Sequence, residues 1–384
     1  MNRALGQHLS RTAVRDHTVG MAKKKKSAET KSAEKKSEKK SAKKSAEKLA
    51  EKLAAKKSAA KVAAKAAEKS AEKSAAKPGK NSQASAWRSS PASLLRVSDG
   101  FVLADVAPES TPGFSGGKRE GRQELATDAV ELSAIQERLF ASSKGGAPDA
   151  VLLVLQAMDT AGKGGIVRHV VGSVDPQGVT LTAFKAPTRA ERRHDFLWRI
   201  ERRVPEPGFI GVFDRSHYED VLIGSVRKLA SDEEIERRFD AILDFESRLA
   251  DRNVRVVKVM LQISPDEQKR RLAERLDRPD KHWKFNPADI DEREIWPDYQ
   301  AAYQRVFDRT STEGAPWFVV PANHKWYARA AVQRLLLDAL TDIDPQWPVA
   351  DFDVAEQKAR LAASTLGQAS ALPTQHSTSK VTPL

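Results

Sequence analysis

The chain has 384 residues, a net charge of +13, no cysteine and a hydrophobic share of 40%. Without cysteine, disulfides and thiolate metal sites are excluded, and no apolar run approaches the ~20 residues a membrane-spanning helix needs. The first twenty residues carry no long apolar segment, so no secretory leader and a cytoplasmic location are expected.

The charge is unevenly distributed. Residues 22–80 hold 21 Lys and 7 Glu and no Asp, Arg or His, a balance of +14 that leaves the rest of the chain near −1. Met21, followed by Ala22 and four lysines, reads as an alternative start. The repeats of Ser-Ala-Glu-Lys and Ala-Ala-Lys contain few large apolar residues (Leu49, Leu53, Val62). Such a segment buries too little surface to offset chain entropy, so residues 1–80 are expected as a disordered tail. Its charge suits contact with a polyanion or nucleic acid; a solvated tail without a partner is the alternative. It has no interleaved aromatics for base stacking.

Residues 81–124, with Pro91, Pro108, Pro112 and a Gly-rich stretch, read as an extended arm and linker. Leu125, Val130, Leu132, Ile135, Leu139 and Phe140 then recur at helical spacing, predicting a helix of about twenty residues that opens a domain at 125–348. Beyond it, residues 349–384 read as a C-terminal tail.

The apolar run from Val151 opens onto Asp159-Thr160-Ala161-Gly162-Lys163-Gly164-Gly165. Strand, Gly-flanked lysine and helix follow in the order a phosphate loop needs: backbone N–H groups face phosphate oxygens and Lys163 adds a mobile charge. Ala161, Gly162, Gly164 and Gly165 are the candidate phosphate-binding backbone. The loop departs from G-x-x-x-x-G-K-[ST] in having Ala157 first and Gly164 where a hydroxyl holds Mg²⁺. Either the motif is accidental or another residue takes the metal, Asp159 being the evident substitute.

Further along, residues 179–184 read as a strand, and Thr188-Arg189-Ala190-Glu191 as a capping box opening a helix to about Arg203. That helix would carry Arg189, Arg192, Arg193, Arg199, Arg202 and Arg203, of which only some can face a ligand. Residues 209–213 form an apolar strand ending at Asp214, the position of a Walker B metal ligand, with Arg215 placed to neutralise a transferring phosphoryl group. A long amphipathic helix is expected at 233–252 and a strand at 254–263. Ser264-Pro265-Asp266-Glu267 then combines an N-cap, Pro at N1 and Glu at N3. The basic stretch 269–284 includes Arg275, Arg278 and Lys281 and reads as part of a helical lid at about 269–312. A short strand at 317–320 and a helix at 326–340 close the domain. The alternation predicts an α/β fold, three layers with a parallel sheet, binding ligand at the carboxyl ends of its strands. His169, His194, His217, His282 and His324 lack the spacing of a metal pair.

The strings VLLVLQAMDTAGKGGIVRHV, GFIGVFDRSHYEDVL and DRPDKHWKFNPADIDER resemble the second family of polyphosphate kinases over about residues 91–348. The resemblance implies a P-loop kinase fold with a helical lid and transfer of a terminal phosphoryl group between inorganic polyphosphate and a purine nucleotide. It implies Mg²⁺ shared by Asp159 and Asp214, with Lys163, Arg215 and Arg275 as catalytic cations. Arg278 and Lys281 are further candidate phosphate contacts. The family's loop is G-x-D-x-x-G-K, which accounts for Asp159; Ala157 departs from it, and its methyl is expected to crowd the loop slightly. The HYED and KHWKFNP strings lie nearer to members accepting AMP and ADP, and a homo-oligomer is expected. Two other classes stay open: an ATP-dependent kinase of a small metabolite, and a nucleic-acid-binding protein with an inactive loop.

Overall fold

The computed structural model describes residues 85–364. Five parallel strands, β1 (Ala150–Ala157), β2 (Val179–Ala183), β3 (Ile210–Asp214), β4 (Val254–Gln262) and β5 (Trp317–Pro321), form one sheet in the order β2-β3-β1-β4-β5. The helices in chain order are α1 (Pro91–Leu95), α2 (Lys118–Lys144), α3 (Lys163–His169), α4 (Trp198–Glu201), α5 (Glu219–Val226) and α6 (Asp232–Asp251). They continue as α7 (Pro265–Leu276), α8 (Ala288–Glu294), α9 (Trp296–Thr310), α10 (Lys325–Ile343) and α11 (Val354–Ala363).

β1 is apolar except for Gln156, and every residue in it is buried because both of its faces are covered. Val151, Leu153 and Leu155 enter one core with α2, α3 and α10, while Leu152 and Val154 enter a second with α5, α6 and α9. These are the three expected layers. β1 lies between β3 and β4, so the strand order reverses beside it and a crevice opens at its carboxyl end. The register sets Leu155 opposite Asp214, and the Arg215 N–H donates to the Leu155 carbonyl (3.0 Å). The loops after β1 and β3 thus leave the sheet side by side.

Four expectations change in detail. α2 starts at Lys118, inside the stretch read as linker. The Glu120 carboxylate accepts from the Gly117 N–H (2.9 Å), starting the helix early, and Gly121 permits close packing on Trp326, where a Cβ would come within 2.2 Å of the indole. The capping box at Thr188 forms, with Glu191 N–H to Thr188 Oγ1 at 3.2 Å and Thr188 N–H to Glu191 Oε2 at 2.7 Å, yet no helix runs to Arg203. A single 3₁₀ turn (Glu191–Arg193) ends at extended His194, and Asp195 Oδ1 then accepts the Leu197 N–H (3.0 Å), turning the chain so that Leu197 and Ile200 reach the core. Within 269–312, α7 buries Arg271 and Leu272 and α9 buries Tyr299, Tyr303, Val306 and Phe307; only the stretch between, residues 277–295, is largely exposed. After Pro348 the chain forms α11, none of whose residues is buried. The Lys-rich tail lies outside the described residues.

Lys258 occupies a position in β4 with no solvent exposure. Its ammonium donates to Glu246 Oε2 (2.6 Å), the Thr310 carbonyl (2.7 Å) and the Tyr218 hydroxyl (3.2 Å), and Tyr218 donates to Glu246 Oε1 (2.7 Å). Pairing and three hydrogen bonds are what allow a charge there. The network links α6, β4 and α9 to the turn that begins α5.

A second buried carboxylate gives a pH prediction. Asp128 on α2 meets Arg334 of α10 (2.6 Å), but its other oxygen has no partner among the described residues. Burial raises its pKa from 3.8 to about 6, against the lowering effect of Arg334. The folded chain therefore holds this proton more tightly than the unfolded one. Its contribution is greatest below the unfolded value and is lost as pH rises from about 4 to about 6. Asp128→Asn is expected to flatten that interval of a thermal-midpoint profile and to raise the midpoint at pH 8. An unchanged profile would discount the site.

Candidate active site

The loop after β1 and the start of α3 form the floor of a cleft of about 620 Å³. Asp159, Ala161, Gly162, Lys163, Gly164, Gly165, Asp214, Arg215, Arg275, Arg278 and Lys281 all line it. Two loop residues are left-handed: Thr160 (φ 67°) and Gly162 (φ 129°). At Gly162 the conformation suits glycine; at Thr160 a β-branched side chain is held where it is disfavoured. Ala157 is not in that region, and it belongs to the buried core around β1.

α7 holds the loop from behind. Arg271, 3% exposed, donates from Nη1 to the carbonyls of Thr160 (3.0 Å) and Ala161 (2.7 Å). Its Nη2 reaches Ala322 (2.6 Å) and Asn323 (3.1 Å), and its Nε reaches Glu267 (2.6 Å). Tying those carbonyls back fixes the shape of the loop. Gln268 adds a bond to the Asp159 carbonyl (3.2 Å). Gln268, Arg271 and Arg275 recur at i, i+3 and i+7 on one helix face. That spacing was present in the sequence, but the basic run around it concealed which arginine turns inward.

Lys163 folds over the loop, its ammonium donating to the Ala157 carbonyl (3.0 Å). Arg215 pairs with Asp159 (3.1 Å) and is itself left-handed (φ 65°). Burial would lower the Arg215 pKa, but the charges of Glu219, Asp159 and Asp214 outweigh it and hold the guanidinium charged. Arg275 donates to the Lys284 carbonyl (3.2 Å) and meets Asp289 (3.5 Å). Arg278 and Lys281 share Asp280 at the exposed end of the cleft.

Sequence reasoning missed Arg168, Lys185, Lys325 and Arg329, which also line the cleft, as does Lys284 at the end of the basic stretch. Lys325 and Arg329 come from the start of α10, far from any motif. None of the six arginines between 189 and 203 lines it; Arg199 is buried, bonded to the Lys185 carbonyl and Asp220. Glu219, in the HYED string, lies close enough to Lys163, Arg215 and Asp159 to feel their charges, and burial raises its pKa.

Eleven Lys or Arg and three carboxylates thus line one cleft. Lys325 and Arg329 are pulled below their ordinary pKa values, first by burial and then by neighbouring cations, Arg271 among them. Among the described residues no three acidic or histidine side chains converge as a metal cage. Asp159 and Asp214 fit Mg²⁺ nonetheless, since that ion is commonly held by one or two carboxylates with phosphate oxygens and water completing the shell.

Sheet order, loop and carboxylates at the ends of β1 and β3 define a P-loop kinase fold. A family model described as polyphosphate kinase 2 matches residues 116–348. The chain belongs to the polyphosphate kinase 2 family. It is 42% identical over 248 residues to an AMP/ADP-polyphosphate phosphotransferase of Meiothermus ruber, covering 65% of this chain and 91% of the relative. It is 39% identical over 253 residues to an ADP-polyphosphate phosphotransferase of Rhodopseudomonas palustris, covering 63% and 86%. A crystal structure of a polyphosphate kinase 2 from Arthrobacter aurescens TC1 superposes with a TM-score of 0.72 at 60% identity, covering 72% of this chain and 98% of that one.

Proposed function

We infer that the protein is a phosphotransferase moving the terminal phosphoryl group of inorganic polyphosphate, reversibly, to a nucleoside mono- or diphosphate, with AMP and ADP as acceptors. The observation that carries this is the crowding of cations around the phosphate loop: Lys325 and Arg329 sit among other cations, and a bound polyanion relieves so much like charge. The names of the relatives support the same reactants. An acceptor phosphate oxygen attacks the terminal phosphorus while the bond to the bridging oxygen breaks, leaving polyphosphate one unit shorter. Loop N–H groups and Lys163 orient the donor. Arg215 and Arg275 offset charge on the transferring group, so catalysis is positioning plus electrostatics. Mg²⁺, held by Asp159 and Asp214, would supply further charge neutralisation. The test is a panel of mono- and diphosphates incubated with polyphosphate and Mg²⁺ in the absence of ATP; no product from any member would overturn the reading. An ATP-dependent metabolite kinase would be inert under these conditions.

Arg275→Ala is expected to lower turnover by about 10²–10³-fold, the cost of removing one aligned charge donor. Its thermal midpoint should change little, because the residue is part-exposed and its two contacts, Lys284 and Asp289, lie in the exposed stretch 277–295. A large loss of stability with little kinetic effect would make it a structural ion pair.

Cytoplasmic residence, beside nucleotide pools, and a homo-oligomeric assembly belong to the same reading; sedimentation measures the latter. The Lys-rich tail is proposed to gather long polyanions. Deleting residues 1–80 should leave activity on short polyphosphate intact and raise the KM for long polyphosphate mainly at low salt, where exposed charges are least screened. Nonspecific DNA retention should fall too. Identical kinetics at both chain lengths and both ionic strengths, with unchanged DNA retention, would show the tail to be inert.

A further inference from the structure

We propose that Gln268 is a positioning residue that couples the exposed arm, residues 277–295, to Asp159, so that seating of the arm fixes the loop carboxylate. The proposal rests on the phosphotransfer reading above. Gln268 is 1% exposed and uses both ends of its amide. Its Nε2 donates to the backbone carbonyl of Asp159 (3.2 Å), and its Oε1 accepts from Arg293 Nη1 (2.8 Å). A carbonyl only accepts and a guanidinium only donates, so one amide orientation satisfies both partners. Arg293 lies on α8 in the arm and also donates to the Pro265 carbonyl (2.9 Å), which fixes the guanidinium against the start of α7. The result is a continuous path: arm helix, Arg293, Gln268, Asp159.

The peptide at the end of that path is under strain. Thr160 follows Asp159 with φ 67°, a conformation a β-branched residue leaves when allowed. Two side chains of α7 oppose this relaxation, Gln268 at the Asp159 carbonyl and Arg271 at the Thr160 carbonyl. Releasing the Gln268 end lets the Asp159–Thr160 peptide rotate and carries the Asp159 carboxylate with it, against its single contact to Arg215. Arg271 is anchored within the domain at Glu267, Ala322 and Asn323 and is indifferent to the arm. Gln268 is the one of the two whose second partner belongs to the arm. A second arm contact, Glu292 with Arg227 at the end of α5 (2.6 Å), holds α8 without touching the loop. It serves as the control.

Four variants test the relay: Gln268→Met, Gln268→Glu, Arg293→Met and the double Gln268→Met/Arg293→Met, with Arg227→Met as control. Gln268→Met is expected to lower kcat about 10–100-fold, the usual cost of losing a partner that orients a metal-side ligand. It should also raise the Mg²⁺ concentration for half-maximal rate several-fold, with little change in KM for polyphosphate. Arg293→Met should produce the same pattern. The double variant should be no worse than Gln268→Met, because serial elements are non-additive. Gln268→Glu keeps the Arg293 partner but presents an acceptor to the Asp159 carbonyl, so it should share the kinetic defect with the arm still attached. Amide hydrogen exchange of residues 159–163 provides a readout independent of turnover: it should quicken in Gln268→Met and Arg293→Met and stay slow in Arg227→Met. Wild-type kinetics and exchange in folded Gln268→Met, or additive losses in the double variant, would overturn the relay. If the wild-type protein itself fails to use polyphosphate, the functional reading falls, and the exchange comparison still decides whether the arm holds the loop.

Discussion

Asp214→Asn is expected to lower phosphotransfer by at least about 10³-fold while leaving the fold intact, since several kcal/mol of charge stabilisation at a metal-assisted phosphoryl group depends on one carboxylate. The substitution is structurally mild. Asp214 ends β3, its backbone is fixed by the register with Leu155 and by the Phe184 N–H donating to its carbonyl (3.0 Å), and its side chain is half-buried at the cleft wall. Asparagine keeps all of these and removes only charge. Turnover across an Mg²⁺ titration, with the thermal midpoint as a check on folding, measures the effect. Activity near wild type in a folded variant would refute the metal assignment. Asp159→Asn should behave likewise, with the added loss of the Arg215 pair. Gly164→Ser is the matched probe, because nothing lies within 4 Å of a Cβ built there. If Gly164→Ser raised activity while Asp159→Asn was mild, the metal would belong at the hydroxyl position of the usual loop rather than at Asp159.

The central strands were legible because they are buried on both faces: β1 and β4 read as near-continuous apolar runs, and the loops at their carboxyl ends followed from that. The N-cap of α7 was legible for a local reason, Ser264 Oγ accepting the Glu267 N–H (3.2 Å) as the spacing demands. Thr188 shows the limit of local signals. Its capping box formed, and a second cap at Asp195 stopped the helix the first had begun. The rest of the site depends on tertiary placement. Lys325 and Arg329 enter the cleft only because α10 packs beside α3, and no spacing in the sequence encodes that. Lys258 sits in an apolar strand and looks like an interruption until Glu246, Thr310 and Tyr218 are brought around it. Arg271 was visible as one more member of a basic run. Charge alone does not tell a buried guanidinium from a solvated one; helical phase relative to Leu272 does, once the helix has a face to bury.

Arg271 therefore yields a large expected stability effect. Arg271→Met keeps the length and apolar stem of the side chain but strands four backbone carbonyls and takes from Glu267 one of its two arginine partners. Breaking a buried, hydrogen-bonded charge network by removing one partner costs about 3–5 kcal/mol. For a domain of this size, with a slope of about 2–4 °C per kcal/mol, the thermal midpoint should fall by roughly 6–20 °C. Arg271→Lys should recover little, because one ammonium cannot span carbonyls of the phosphate loop and of the segment after β5 at once. Arg270, the next residue, is the control: its partners are Glu267 and Glu274 on the helix surface, so Arg270→Ala should shift the midpoint by no more than a degree or two. Activity should fall with Arg271→Met even well below its midpoint, because freed carbonyls let the loop lose its shape. A midpoint within 2 °C of wild type would mean that water replaces the guanidinium at no cost. The carbonyls it holds would then be incidental to the loop's shape.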